Sequence, residues 1–113
     1  MTPVLQGLRT VAVLGAIALW GTAALAQAGD PVAGKARAAM CVTCHGAVGL
    51  SQLPNAPHLA GQPAIYLVEQ LKNYRSGKRP NEVMAVMAKP LSDLEIENLA
   101  AWYASIEIAV TQR

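Results

Sequence analysis

The pentapeptide Cys41-Val42-Thr43-Cys44-His45 constrains this chain more than any other feature. A Cys-x-x-Cys-His run is the attachment signal for c-type haem. The reason is geometric. Two thiols three positions apart at a helix end each reach one of a porphyrin's two vinyl groups. The macrocycle so placed presents its iron to the next side chain, the imidazole of His45. Other uses of these residues fit less well. A thioredoxin-like dithiol needs a preceding strand and a βαβ context, whereas an alanine-rich helical segment leads into Cys41. A zinc site takes four ligands; Cys41, Cys44, His45 and His58 make the count, but adjacent Cys44 and His45 would strain a tetrahedron. A Cys41–Cys44 disulfide closes a loop too small to restrict the unfolded chain much.

Attachment of c-type haem takes place outside the cytoplasm, and the N-terminus matches that requirement. Residues 1–26 hold one charge, Arg9, followed by the apolar run Val11–Trp20 and by Ala24-Leu25-Ala26. A basic start, an apolar stretch and a small-x-small site form a secretory signal peptide. An uncleaved anchor is the other reading, though Val11–Ala26 falls short of the roughly 20 residues a spanning helix needs. The expected division is a signal peptide over 1–26, with a second cut site after Ala28, and one small domain over 27–113. The expected location is the periplasm.

Residues 27–113 carry 8 basic and 7 acidic side chains, a net charge of +1. That balance excludes a strongly basic nucleic-acid binder. Their aromatic residues are Tyr66, Tyr74, Trp102 and Tyr103, and the chain has no Phe. A domain this small is marginal unless something supplements its core. A large apolar cofactor would do so.

Three segments have helical signals. Asp30-Pro31 supplies an N-cap and a first-turn proline for a helix running through Met40 to Cys41. A second starts at Pro63 and runs to Ser76, with Leu67, Leu71 and Tyr74 on one stripe and Gly77 in the C′ position. A third opens with a Ser92/Glu95 capping box and buries Leu99, Trp102, Tyr103 and Ile106. A short helical turn fits 82–88, stopped by Pro90. Residues 46–62, rich in Gly, Pro and Asn, form an irregular loop. No segment alternates with a period of two, so the expected class is all-α.

With these motifs in order, the chain resembles the class I c-type cytochromes, in particular the small bacterial c4 and c-553 subgroups. The likeness extends from Ala28-Gly29-Asp30 and Gly34 through the pentapeptide and Gly46. It continues in Pro54–Gln62, Tyr66-Leu67, Gln70-Leu71, Met84–Asp93 and Leu99–Tyr103. The resemblance implies a cytochrome c fold of three to four helices around one covalently bound haem c.

His45 would take one axial position of the iron, leaving Met40, Met84, Met87 and His58 as candidates for the other. Met40 adjoins Cys41 on the wrong face, and His58 reads as a partly exposed loop residue. Met84 and Met87 lie three apart, and local geometry does not separate them. The resemblance does, because the ligand in similar cytochromes lies seven residues before the Leu of the Pro-Leu-Ser-Asp stretch, here Met84. It also gives Pro57 the carbonyl that accepts from the ligating imidazole. Leu59, Leu67 and Leu71 would wall the porphyrin, and Gly34 would let the first helix cross the last against Leu99 and Trp102.

Thioether ligation favours Fe(II) and closes the iron to small ligands. The expected function is single-electron carriage between redox protein partners, with no enzymatic turnover. The expected protein is a soluble monomer that docks at membrane respiratory complexes. The alternatives are a haem peroxidase or gas sensor with a displaceable Met, a membrane-tethered cytochrome, and a small subunit of a larger oxidoreductase. Lys72, Arg75, Lys78, Arg79 and Lys89 form a basic group that either steers an acidic partner or is an ordinary solvated face.

Overall fold

The computed structural model describes residues 28–112, so the signal-peptide expectation lies outside the described residues. Asp30 caps the first helix, α1 (Pro31–Arg37), by accepting from the Val32 N–H at 2.8 Å. The chain then tightens into a 3₁₀ turn over Ala38–Met40 and re-forms as a single turn, α2 (Val42–His45), across the pentapeptide. The first helix therefore does not run unbroken to Met40 as its apolar pattern suggests. Alanines 36, 38 and 39 suit either pitch, and the switch lies in backbone bonds, with the Cys41 N–H reaching the Ala38 carbonyl at 2.8 Å.

The long helix α3 (Ala64–Ser76) ends on a left-handed Gly77. Pro63 precedes the first helical residue at φ −57° and ψ 133°, where its carbonyl accepts from Leu67 at 3.1 Å. Helix α4 (Glu82–Ala88) starts because the Asn81 side chain accepts from the Met84 N–H at 2.9 Å. The reciprocal Ser92/Glu95 capping box opens α5 (Asp93–Ala104). That helix stops at Ser105, so Ile106 lies beyond it and is only half-buried. Ile96, absent from the expected face, is fully buried. Its spacing with Leu99, Ala100 and Tyr103 is the i, i+3, i+4, i+7 pattern that would have revealed it. Among the described residues there is no strand.

Helices α1 and α5 cross at Gly34. A Cβ there would collide with the Asn98 carbonyl and stand 2.9 Å from Trp102 Cβ. The crossing is tied by the Asp30 N–H, which donates to Asn98 Oδ1 at 2.7 Å, and by an Arg37–Glu95 ion pair at 2.7 Å. Gly→Ala in an open helix stabilises by roughly 0.5–1 kcal/mol, so the crossing reverses the sign. Gly34→Ala is expected to lose about 1–3 kcal/mol through overpacking against backbone, measured as a lower urea midpoint of the holoprotein.

Arg75 of α3 donates to the Leu91 carbonyl at 2.8 Å and to Asp93 Oδ1 at 2.6 Å, pinning α3 to the start of α5. The hydrogen bond from Arg75, then the charges of Lys72 and Arg75, hold the Asp93 carboxyl below its ordinary range. The Ser92 backbone N–H does the same for Glu95. A carboxyl depressed in the fold contributes stability above its unfolded pKa, and this is lost as pH falls below about 4 through the lower folded value. Asp93→Asn is therefore expected to be less stable than the parent at neutral pH. Acid-unfolding curves followed by circular dichroism should show that difference closing as pH drops.

Candidate cofactor site

His45 ends the one-turn helix α2 and is buried, at 8% exposure. The next residue, Gly46, takes φ +82° and ψ 161°, a conformation essentially restricted to glycine, and turns the chain out of the helix. The loop so begun returns beneath the imidazole, where His45 Nδ1 donates to the Pro57 carbonyl at 2.8 Å. A neutral imidazole with its proton on Nδ1 offers the Nε2 lone pair to a metal.

His58, one residue on, has the opposite tautomer. Its Nδ1 accepts from the Ser51 N–H at 2.8 Å, which places its proton on Nε2 and leaves neither nitrogen a free lone pair. The loop is fixed further by Ser51 Oγ, which donates to the Cys44 carbonyl at 2.8 Å, and by the Gly61 N–H, which donates to the Tyr103 carbonyl at 2.9 Å.

Helices α2 to α5 and this loop enclose a cavity of about 470 Å³. All nine residues expected at the site line it: Cys41, Cys44, His45, Pro57, Leu59, Leu67, Leu71, Met84 and Met87. Met40, Tyr66, Tyr74, Leu91, Leu99 and Tyr103 line it too. Protein interiors are close-packed, with few voids larger than a water molecule. An apolar cavity this size, within the range of roughly 300–1,000 Å³ typical of ligand sites, is built for a resident group. The half-exposure of Leu71 and Tyr74, on the same stripe as buried Leu67, is explained by the wall they form.

No disulfide joins Cys41 to Cys44. Burial pushes the Cys41 thiol up, against the smaller lowering by the Tyr103 hydroxyl and Arg37. Burial, with Cys41 beside it, likewise raises the Tyr103 phenol. Among the described residues no group of three or more His, Cys, Asp or Glu side chains gathers to hold a metal ion, so the zinc arrangement does not form. The donor set does fit a haem: two thiols three positions apart beside an imidazole with Nε2 free, and two thioethers on α4. Sequence reading missed Ser51 and the structural use of His58. A serine in a Gly-rich loop carries no periodic signal of burial.

The profile of the cytochrome c family matches residues 31–107. The chain belongs to the cytochrome c family, among the class I c-type cytochromes. It is similar to cytochrome c4 of Thiocapsa roseopersicina, at 49% identity over 84 residues, which are 74% of this chain and 43% of that protein. It is 43% identical over 83 residues to cytochrome c-554(548) of Halomonas halodenitrificans, covering 71% of this chain and 100% of the relative. The crystal structure of reduced recombinant cytochrome c4 from Pseudomonas stutzeri superposes with a TM-score of 0.69 at 39% identity, over 74% of this chain and 48% of that one. The chain thus spans about half the length of the cytochrome c4 proteins it matches.

Proposed function

We propose that this chain is a periplasmic single-haem carrier that passes one electron at a time between redox proteins and turns over no substrate of its own. The observation that carries this reading is the cavity that gathers the pentapeptide and the α4 methionines while His45 Nδ1 is committed to Pro57. Cys41 and Cys44 would hold haem c through thioethers, with His45 Nε2 and Met84 Sδ as the iron's protein donors. Iron so held supplies reversible Fe(II)/Fe(III) exchange.

The residues around it suit electron transfer rather than bond-making. The Pro57 carbonyl orients the imidazole and raises its basicity. A methionine in the remaining position raises the potential and excludes small ligands. Leu59, Leu67 and Leu71, which line the cavity, would keep water from the macrocycle. Both α4 methionines line the cavity; the likeness to class I cytochromes, whose sulfur donor lies seven residues before the Leu of the Pro-Leu-Ser-Asp stretch, supports Met84 over Met87. Residues 1–26 act as a signal peptide, removed after Ala26 or Ala28. No helix among the described residues is long and apolar enough to cross a membrane, and we read the mature protein as a soluble monomer.

A reduced-minus-oxidised spectrum combined with intact mass tests all of this. Sharp low-spin bands and a mass exceeding the mature chain by one haem are expected. A high-spin, peroxide-reactive resting state would move the protein to the peroxidase or sensor class, and a mass without added haem would end the reading.

The basic group is less available to partners than its sequence density suggests. Lys72 and Arg75 face Asp93, while Arg79 donates to Gln70 at 2.8 Å and covers the Tyr74 ring at 4.7 Å. Lys78 and Lys89 remain exposed. Electron-transfer rates to an acidic partner are therefore expected to fall by less than about tenfold between low and high salt, the weak end of electrostatic steering. Stopped-flow measurements over an ionic-strength series check this.

A further inference from the structure

We propose that Ser51 and His58 are positioning residues that clamp the loop carrying Pro57 and thereby set the strength of the hydrogen bond to the His45 imidazole, an inference that rests on His45 being the axial ligand. Both clamp residues sit next to a partner in that bond. His58 follows Pro57, whose carbonyl accepts from His45 Nδ1 at 2.8 Å. Cys44 precedes His45, and its carbonyl accepts from Ser51 Oγ at 2.8 Å. The ring is closed by the Ser51 backbone N–H, which donates to His58 Nδ1 at 2.8 Å. The donor and acceptor ends of the His45–Pro57 bond are thus joined a second time through one buried serine, which is 8% exposed. Ser51 Oγ is held in turn by the Leu53 N–H at 3.0 Å, and Gln62 Nε2 reaches the His58 carbonyl at 3.5 Å.

Beyond the clamp, the Leu59 and Ala60 N–H groups donate to the Gly49 carbonyl at 2.7 and 3.1 Å, which anchors the far side of the loop. Leu53, Asn55, Pro57 and His58 line the cofactor cavity and take no part in the packed core, so core packing does not hold the Pro57 carbonyl over the imidazole. Hydrogen bonds do. A carbonyl held close to Nδ1–H draws the imidazole toward imidazolate character and favours Fe(III). A carbonyl that drifts away lets the potential rise.

The test compares His58→Ala, which removes the acceptor, with His58→Asn, whose side-chain oxygen can accept from the same N–H, both as holoproteins. In His58→Ala the Ser51 amide is expected to lose roughly tenfold in hydrogen-exchange protection, as for one net hydrogen bond. The Fe(II)/Fe(III) ratio at fixed electrode potential should rise by up to about tenfold, the low end of what outer partners do to metal sites. His58→Asn should restore most of both. Ser51→Ala keeps the donor to His58 but releases the Cys44 carbonyl; it should shift the potential the same way, and it carries the test if His58→Ala does not accumulate. Faster Ser51 exchange with an unchanged potential, or equal shifts in the Ala and Asn variants, would overturn the clamp. A parent protein without a low-spin haem spectrum would instead remove the reading on which it rests.

Discussion

Replacing Met84 with alanine is expected to leave the haem attached and the chain folded, while the reduction potential drops by on the order of 0.1 V or more, within the roughly 0.8 V over which axial ligands tune haem. Attachment survives because Cys41 caps α2 and Cys44 lies within it, on a different element from α4. The potential falls because soft sulfur, which favours Fe(II), gives way to water or a nitrogen donor. The weak charge-transfer band at the red end of the spectrum, a signature of sulfur on ferric iron, should vanish with it. Met87→Ala should keep that band and lose only packing, since an unbranched side chain that lines the wall fills space. If the band and potential stay with Met84→Ala and change with Met87→Ala, the donor is Met87. Both side chains line the cavity and are half-buried, so redox titration of the pair is the discriminating measurement.

The double variant Cys41→Ala/Cys44→Ala should not fold cooperatively at all. Among the described residues the buried apolar core consists of nine residues, four of them alanines, and Ile96 is the one large side chain buried without remainder. Around that thin core lies the cavity of about 470 Å³. At ~24 cal/mol per Å³ of void, an unfilled cavity of this size costs on the order of 10 kcal/mol, comparable to the whole stability of a small domain. Water entering an open mouth would lower that cost, but it would then hydrate the leucines that form the wall. Thermal melts followed by circular dichroism should show a sigmoidal transition for the holoprotein and a shallow, featureless slope for the double variant. A cooperative melt of the latter would mean that the polypeptide core suffices without a covalently held partner.

The two predictions draw on different kinds of information. The caps at Asp30 and Ser92, the stop at Gly77 and the short turn ended by Pro90 were all readable, because each depends on residues within one helical turn of one another. The 3₁₀ turn after Arg37 was not. Alanine is accepted in both helix types, and the change of pitch is imposed by the α1–α5 crossing and the turn into α2. Ile96 carries the spacing of a core residue with Leu99, Ala100 and Tyr103, while Trp102 and Ile106 pack against the core half-buried, Ile106 from beyond the Ser105 cap.

At the site, chemistry confined to one stretch of chain could be read directly. Two thiols and an imidazole within five residues state their purpose, and the scarcity of aromatic side chains states that something else must fill the centre. What needed the fold was the assignment of lone pairs. His45 and His58 are identical in type, yet one donates from Nδ1 and the other accepts there. Their partners are backbone groups 12 and 7 residues away, delivered by a loop with no periodicity. Covalent spacing is written in residue order; the direction of a hydrogen bond across a loop exists only after long-range packing has placed the donor against the acceptor.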